Sequence, residues 1–264
     1  MKPYADHFSR LAPAYASCRP GYPAGLFDYL EGLVSRHDLA WDCAAGSGQA
    51  TIPLARRFIR VLATDISAAM LEQAPRHPAV EYRVAPAEAS GLGDATVDLV
   101  TVAQALHWLN TETFYAEVDR VLVSGGILAV WAYGSQYLGE ALLDGALRHF
   151  YADIVGPYWP PNRRHVESGY RTLPFPFPEL EPPVLAIEEV WNLAQLLGYV
   201  GTWSATQRFR EAVGHDPLDR LGQELAQHWG DPTATRPIRW PLSLRVGRRP
   251  VRPLPGHGGR ALPC

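Results

Sequence analysis

The chain has 264 residues, 47% hydrophobic and 19% charged, a globular composition that excludes a wholly disordered, collagen-like or coiled-coil protein. Lys+Arg at 24 against Asp+Glu at 27 gives a formal charge of -3, so the basic excess of a dedicated nucleic-acid binder is missing. The basic residues are nearly all arginine, Lys2 being the only lysine, which reads as codon bias rather than function. Cys18, Cys43 and Cys264 have neither paired nor metal-ligand spacing, so no disulfide framework and no metal site are expected. Met1 to Arg10 lacks the apolar stretch of a secretory signal, and the most apolar run, Gly125 to Trp131, is too short for a membrane span. The expectation is a cytoplasmic protein without a membrane partner.

Between Asp38 and Trp131 short apolar, β-rich runs alternate with helix-like stretches, the order that a parallel sheet with crossover helices requires. Strands are predicted at Leu39–Asp42, Val61–Asp65, Glu81–Ala85, Leu99–Ala103 and Gly126–Trp131, with helices near Ala50–Phe58, Ser67–Ala74 and Thr111–Leu122. Proline use then rises, with 8 of the 24 prolines in residues 1–150 and 16 in the rest. The run from Thr172 to Glu179 must be a loop or extended segment, because its three prolines remove backbone donors and fix φ. Asp216-Pro217 opens a helix whose stripe Leu218, Leu221, Leu225 and Trp229 reads as core. Trp240, Leu242, Leu244 and Val246 alternate with polar or small residues, predicting a late strand paired antiparallel with one near Val184–Val190. The fold class is therefore α/β: a doubly wound, mostly parallel, seven-stranded sheet with a helical and irregular substrate cap. Its expected parts are an N-terminal lid of helices (1–37), a cofactor-binding core (38–134), cap insertions with the last two strands (135–250) and a disordered tail (251–264).

The strongest local signal runs from Trp41 to Gln49, a strand passing into a Gly/Ala loop and then a helix. Small residues let a backbone approach a ligand, and a helix N-terminus favours an anionic group. A tight turn for close helix–strand packing is the structural alternative. A dinucleotide fingerprint needs a third glycine where Thr51 stands, and the preceding strand ends in Asp42, which would repel a pyrophosphate and suit a cationic amino-acid head group. Asp65 ends the second strand, where a carboxylate can accept from both ribose hydroxyls. That feature supports a nucleoside without choosing which.

Several motifs in order resemble class I S-adenosylmethionine-dependent methyltransferases, and more narrowly the type 11 group that includes trans-aconitate methyltransferase. They are Tyr15 with Arg19-Pro-Gly-Tyr-Pro23, the loop after Trp41, Ala63-Thr-Asp-Ile-Ser67 with Met70, Ala85-Pro-Ala-Glu88, Val97 to Trp108, Gly125 to Ala129, Gly198 to Ala205 and Trp240 to Leu244, spanning roughly residues 4–249. The resemblance implies that Asp42 and Ala44 to Gln49, with Gly46, Ser47 and Gly48 between, surround the methionine part. By the same likeness Asp65 takes the ribose, Ile66 and Met70 touch the adenine, and Ala87 and Glu88 lie at its edge. Gln104, Ala105 and Trp108 fall beneath the sulfonium, and Tyr15 and Arg19 close over the cofactor as a lid.

Two departures stand out. Ala44 replaces the usual first glycine, which demands a negative φ there, and Pro86 removes a polar contact to the adenine. His107 is expected at the reaction pocket, either abstracting a proton or shaping the pocket by a hydrogen bond. The aromatic faces of Trp131 and Tyr133 are candidates to border a sulfonium or an apolar substrate, with a core role the alternative for Trp131. Arg163 and Arg164 beside Tyr170 form a candidate carboxylate clamp, and Trp203 a candidate chamber wall. These readings converge on methyl transfer to a small molecule at oxygen, such as a carboxylate, with nitrogen second. A methyltransferase-like binding domain without catalysis is the alternative, and an NAD-dependent oxidoreductase is a more distant one.

Overall fold

The computed structural model describes residues 19–251. In chain order the elements are α1 (Ala24–Leu33), β1 (Leu39–Cys43), α2 (Thr51–Ala55), β2 (Arg60–Asp65), α3 (Ala68–Glu72), β3 (Val80–Val84), β4 (Val97–Ala103), α4 (Thr111–Val121) and β5 (Leu122–Tyr133). Then come α5 (Ala141–His149), α6 (Arg163–Glu167), β6 (Glu179–Leu180), β7 (Ala186–Trp191), α7 (Leu193–Gly201), α8 (Ser204–Val213), α9 (Leu218–Trp229) and β8 (Arg236–Arg248). A 3-10 turn at Leu106–Trp108 joins β4 to α4.

The sheet order is β3-β2-β1-β4-β5-β8-β6, with β7 also on β8. Strands β1 to β5 are mutually parallel, and β8 runs antiparallel to β5. The central strands are apolar on both faces: Ile127 to Ala132 are wholly buried, as expected where helices cover both sides of a parallel sheet. One face packs α1, α2 and residues such as Leu54, Leu99 and Trp131. The other packs α4 through Phe114, Val118 and Val121 against Trp41, Val100 and Val130. Order reverses between β1 and β4, so the loops leaving their carboxyl ends flank a crevice at the topological switch point.

Among the described residues the expected mostly parallel sheet has eight strands, one more than the seven expected. The seventh position, beyond β8, is shared: the first half of β8, Arg236 to Pro241, pairs with β7, while Val246 and Gly247 pair with the two-residue β6. The strand expected near Val184–Val190 is β7, displaced toward its C-terminus, with Val184 fully exposed. Helix α1 was assigned with the lid, yet it buries Leu26, Phe27 and Leu30 against the sheet and belongs to the core layer. Thr172 to Pro178 is irregular as expected, Glu179 opening β6, and α9 opens with the Asp216 carboxylate accepting the Leu218 N–H at 3.0 Å. Tyr15 and the tail beyond Val251 lie outside the described residues.

Candidate active site

Cys43 is the last residue of β1, and the chain then turns sharply. Ala44, Gly46 and Gly48 have φ of 55°, 57° and 85°. The expectation of a negative φ at Ala44 is therefore corrected: alanine is tolerated there at about 1–2 kcal/mol, anchored because the next N–H, of Ala45, donates to the Thr64 carbonyl at 2.9 Å. Glycine at 48 is favoured on a second ground, since a Cβ there would crowd Ala74 Cβ at 3.2 Å. Met70 is buried under the loop, its methyl facing Gly46, so it supports the turn from below. Ser47 and Gln49 hydrogen-bond each other through their side chains.

Two carboxylates define the electrostatics. Asp65, at the end of β2, accepts the Gly46 N–H at 2.9 Å and the Ser67 N–H at 2.8 Å, tying the loop after β1 to the one after β2. Burial raises its pKa, and the backbone donors of Ser67, Gly46 and Ile66 oppose the rise. Beside it Ile66 is 51% exposed, an apolar surface left uncovered. Asp42 is 0% exposed. It accepts from the Thr51 hydroxyl at 2.6 Å and the Thr101 hydroxyl at 3.0 Å, and burial pushes it up to about 6 despite both hydroxyls. Thr51, which displaces the third glycine of a dinucleotide fingerprint, thus has a definite task. The partnership with Thr101 follows from the β1–β4 register, which sets Asp42 opposite Thr101, and no local signal announces it.

At the end of β4, Gln104 has φ 55°. Its N–H donates to the Trp131 carbonyl at 2.9 Å and its side-chain amide to the Tyr133 carbonyl at 3.0 Å, stapling the β4 loop to β5. Ala105 is buried and Trp108 half-buried, its ring 4.8 Å from that of His107. Ala87 is buried in the core and Glu88 half-exposed. His107 Nδ1 lies 3.0 Å from the Tyr170 hydroxyl, and its carbonyl accepts from Asn162 Nδ2 at 2.8 Å. Burial first, then the positive charges of Arg163 and His165, push His107 down to about 3, so the ring is neutral at any ordinary pH.

The candidate substrate residues separate. Trp131 is 0% exposed, edge-on to Tyr22 and Phe27, and is core rather than pocket wall. Arg163 and Arg164 do not form one clamp. Arg164 is exposed, whereas Arg163 lies over Trp159, 4.6 Å from its centroid, and donates from Nε to the Tyr151 hydroxyl at 3.0 Å. Successive helical residues diverge by roughly 100°, which separates the two. Tyr170 is buried and engaged with His107 rather than with either arginine. Trp203 is buried within an aromatic cluster of Phe150, Tyr151, Trp159 and Tyr199. Arg19 extends over Tyr199 and donates to the Tyr133 hydroxyl at 3.3 Å and the Thr202 carbonyl at 3.4 Å. The aromatic floor under the two guanidinium groups carries no local sequence signal, because its members come from the segment after α5, from α7 and from the junction of α7 with α8. Among the described residues no cluster of metal-binding side chains occurs, and no helix is long and apolar enough to cross a membrane.

A glycine-bearing turn at the point of order reversal, an acidic residue closing β2 and a buried acid closing β1 define a nucleoside-binding α/β enzyme. Residues 41–130 match the methyltransferase domain family. A Dictyostelium discoideum protein named as a methyltransferase is 32% identical over 226 residues, 84% of this chain and 86% of its own length. An uncharacterized methyltransferase of Mycobacterium tuberculosis is likewise 32% identical over 223 residues, covering 84% and 86%. The solved structure of a type II methyltransferase from Anaeromyxobacter dehalogenans superimposes with a TM-score of 0.83 at 45% identity, covering 89% of this chain and 99% of that one. The chain belongs to the S-adenosylmethionine-dependent methyltransferases.

Proposed function

We propose that the acceptor is a small organic acid, methylated on an oxygen that arrives already ionised. S-adenosylmethionine, when bound, supplies the electrophilic methyl group. The residues present fit it: Asp42 offers a buried negative charge to an ammonium group, Asp65 an acceptor to vicinal hydroxyls, and Ile66 an uncovered apolar face to a purine. Ala44, Gly46, Ser47, Gly48 and Gln49 would line the methionine part, with Ala87, Glu88, Gln104, Ala105 and Trp108 around the remainder and Met70 supporting the loop from below.

The observation that carries the acceptor's class is the state of Arg163. Its guanidinium lies on the Trp159 face and spends one N–H on Tyr151, while its two terminal nitrogens carry no hydrogen bond to any described residue. A guanidinium so held presents a donor edge suited to a carboxylate, and its charge reaches both His107 and Tyr199. Arg19, over the Tyr199 ring, adds a second positive charge that also acts on Tyr199. An ionised carboxylate needs no base, so these residues contribute positioning and exclusion of water.

Carboxylic acids, trans-aconitate among them, phenols and amines should be screened for methyl incorporation from labelled S-adenosylmethionine. Acids should be accepted, with KM raised about tenfold or more by Arg163→Gln, the loss of one charge-assisted contact. Activity confined to amines, proteins or nucleic acids overturns the proposal.

A further inference from the structure

We propose that Tyr170 is a positioning residue that holds His107 as the Nε2–H tautomer, so that His107 meets the acceptor as a hydrogen-bond donor and not as a base. The inference rests on the reading of an ionised acceptor for its chemical meaning, but its geometry stands apart from it.

Tyr170 is wholly buried and has φ 63°, next to Gly169 at 58°. Two left-handed residues in succession, one of them bulky, persist only where the surroundings over-determine them. The surroundings here are one face of β8. Ser243, Arg245 and Gly247 alternate along the strand and so share a side. A Cβ on Gly169 would lie 2.7 Å from Ser243 Oγ, and one on Gly247 would lie 2.7 Å from the Phe175 ring, so the segment from Gly169 to Phe177 sits flush on the strand. Between the two contacts Arg245 donates to the carbonyls of Tyr170 at 2.7 Å and Leu173 at 2.9 Å, and pairs with both oxygens of Glu179. The Tyr170 N–H donates to the His165 carbonyl at 2.7 Å. Its backbone is therefore fixed from both ends, and the proline-rich run is a strap held by β8.

That fixing delivers the phenol to His107 at 3.0 Å from Nδ1, the two rings 29° from parallel. The direction of the bond follows from acidity. A phenol O–H is a stronger acid than a neutral imidazole N–H, and an imidazole lone pair is a stronger base than a phenol oxygen. Tyr170 therefore donates and Nδ1 accepts. A neutral imidazole carries one proton, which is left on Nε2. No described residue bonds Nε2, and the ring keeps partial exposure. Burial and the neighbouring charges of Arg163 and His165 resist a second proton. His107 so held can steady one oxygen of a carboxylate through Nε2–H, and has no lone pair there with which to remove a proton.

The test is two-bond 1H–15N correlation on histidine-labelled protein from pH 6 to 8, with and without S-adenosylhomocysteine. His107 should show a pyridine-like Nδ1 and a pyrrole-like Nε2 across the range. In Tyr170→Phe the two signals should move toward a mixture of tautomers, while circular dichroism and affinity for S-adenosylhomocysteine stay within about twofold of the parent. A pyrrole-like Nδ1 in the parent overturns the proposal, as does an unchanged Nε2–H pattern in Tyr170→Phe. If that variant does not fold, the parent spectrum still decides the tautomer. The spectra need no acceptor, so failure of the acid screen leaves this result standing, and the converse also holds.

Discussion

Replacing Asp42 by asparagine should make the folded protein more stable at neutral pH while weakening its hold on the cofactor. The carboxylate sits inside the sheet, and burial lifts its pKa from 3.8 to about 6 against the pull of two hydroxyls, with the negative charge of Asp65 adding to the rise. Because the folded value exceeds the unfolded one, the folded state binds the extra proton between those two values, and stability falls as pH rises through that window. About two units at roughly 1.4 kcal/mol each make the charge cost about 3 kcal/mol above pH 6 and nothing below the unfolded value. Asparagine keeps the shape and carries no charge. Urea unfolding of the ligand-free proteins should therefore favour Asp42→Asn by about 3 kcal/mol at pH 8 and by roughly half that at pH 5. Rearranged bonds to Thr51 and Thr101 contribute equally at both pH values, so the difference between them isolates the charge. Calorimetry with S-adenosylhomocysteine should show the opposite trend, weaker binding in the variant at pH 8. A variant no more stable than the parent at pH 8, or a gap independent of pH, would refute the reasoning.

Three further substitutions test other parts of the site. Asp65→Ala should weaken S-adenosylhomocysteine binding by about 1.5–3 kcal/mol, read by calorimetry, and should also lower stability by about 2 kcal/mol, because the Gly46 and Ser67 N–H groups lose their acceptor. Undiminished affinity in a folded variant removes Asp65 from the cofactor site. Ala44→Gly should raise the melting temperature, since relief of a left-handed alanine, about 1–2 kcal/mol, exceeds the added entropy of the unfolded chain, about 0.5–1 kcal/mol; a fall would contradict the strain. Arg245→Met should lower stability by about 2–4 kcal/mol by leaving the Tyr170 and Leu173 carbonyls and the Glu179 carboxylate without their donor, and an unchanged urea midpoint would show that the strap does not depend on it.

The parallel sheet was legible because each of its strands is a short apolar run bounded by turn residues, a signal carried within a few neighbours. The edge was less so. Glu179–Leu180 is too short to show a period, and Arg236 to Arg239 are drawn into β8 by pairing with β7, and Arg239 also by pairing with Tyr137. The turn after β1 is legible through backbone demands at Gly46 and Gly48, together with acids at the ends of two strands. Thr101 carried no such mark, since its value lies in facing Asp42 across a register. For Arg163 and Arg164 the sequence offers two equal neighbours, and only the position of Trp159 selects the first. Trp131 and Tyr133 share a side of β5 yet part company, because α1 covers the first while the second meets Arg19.

Where the backbone is strained follows the same division of labour. Among the described residues four other than glycine have positive φ, namely Ala44, Ala95, Gln104 and Tyr170. Three of them sit where β1 ends, where β4 ends and where the strap meets His107, and each is pinned: Ala44 through the Ala45 N–H on Thr64, Gln104 by two bonds to β5, Tyr170 by Arg245 and His165. A strand that simply ran on would carry its side chains past the crevice. A left-handed residue at the last position instead turns the chain across the mouth of the sheet. Each such turn costs about 1–2 kcal/mol and persists because neighbouring strands hold it. Methyl transfer from a sulfonium asks for in-line alignment of the reacting groups, and three of the four left-handed residues other than glycine lie in these turns.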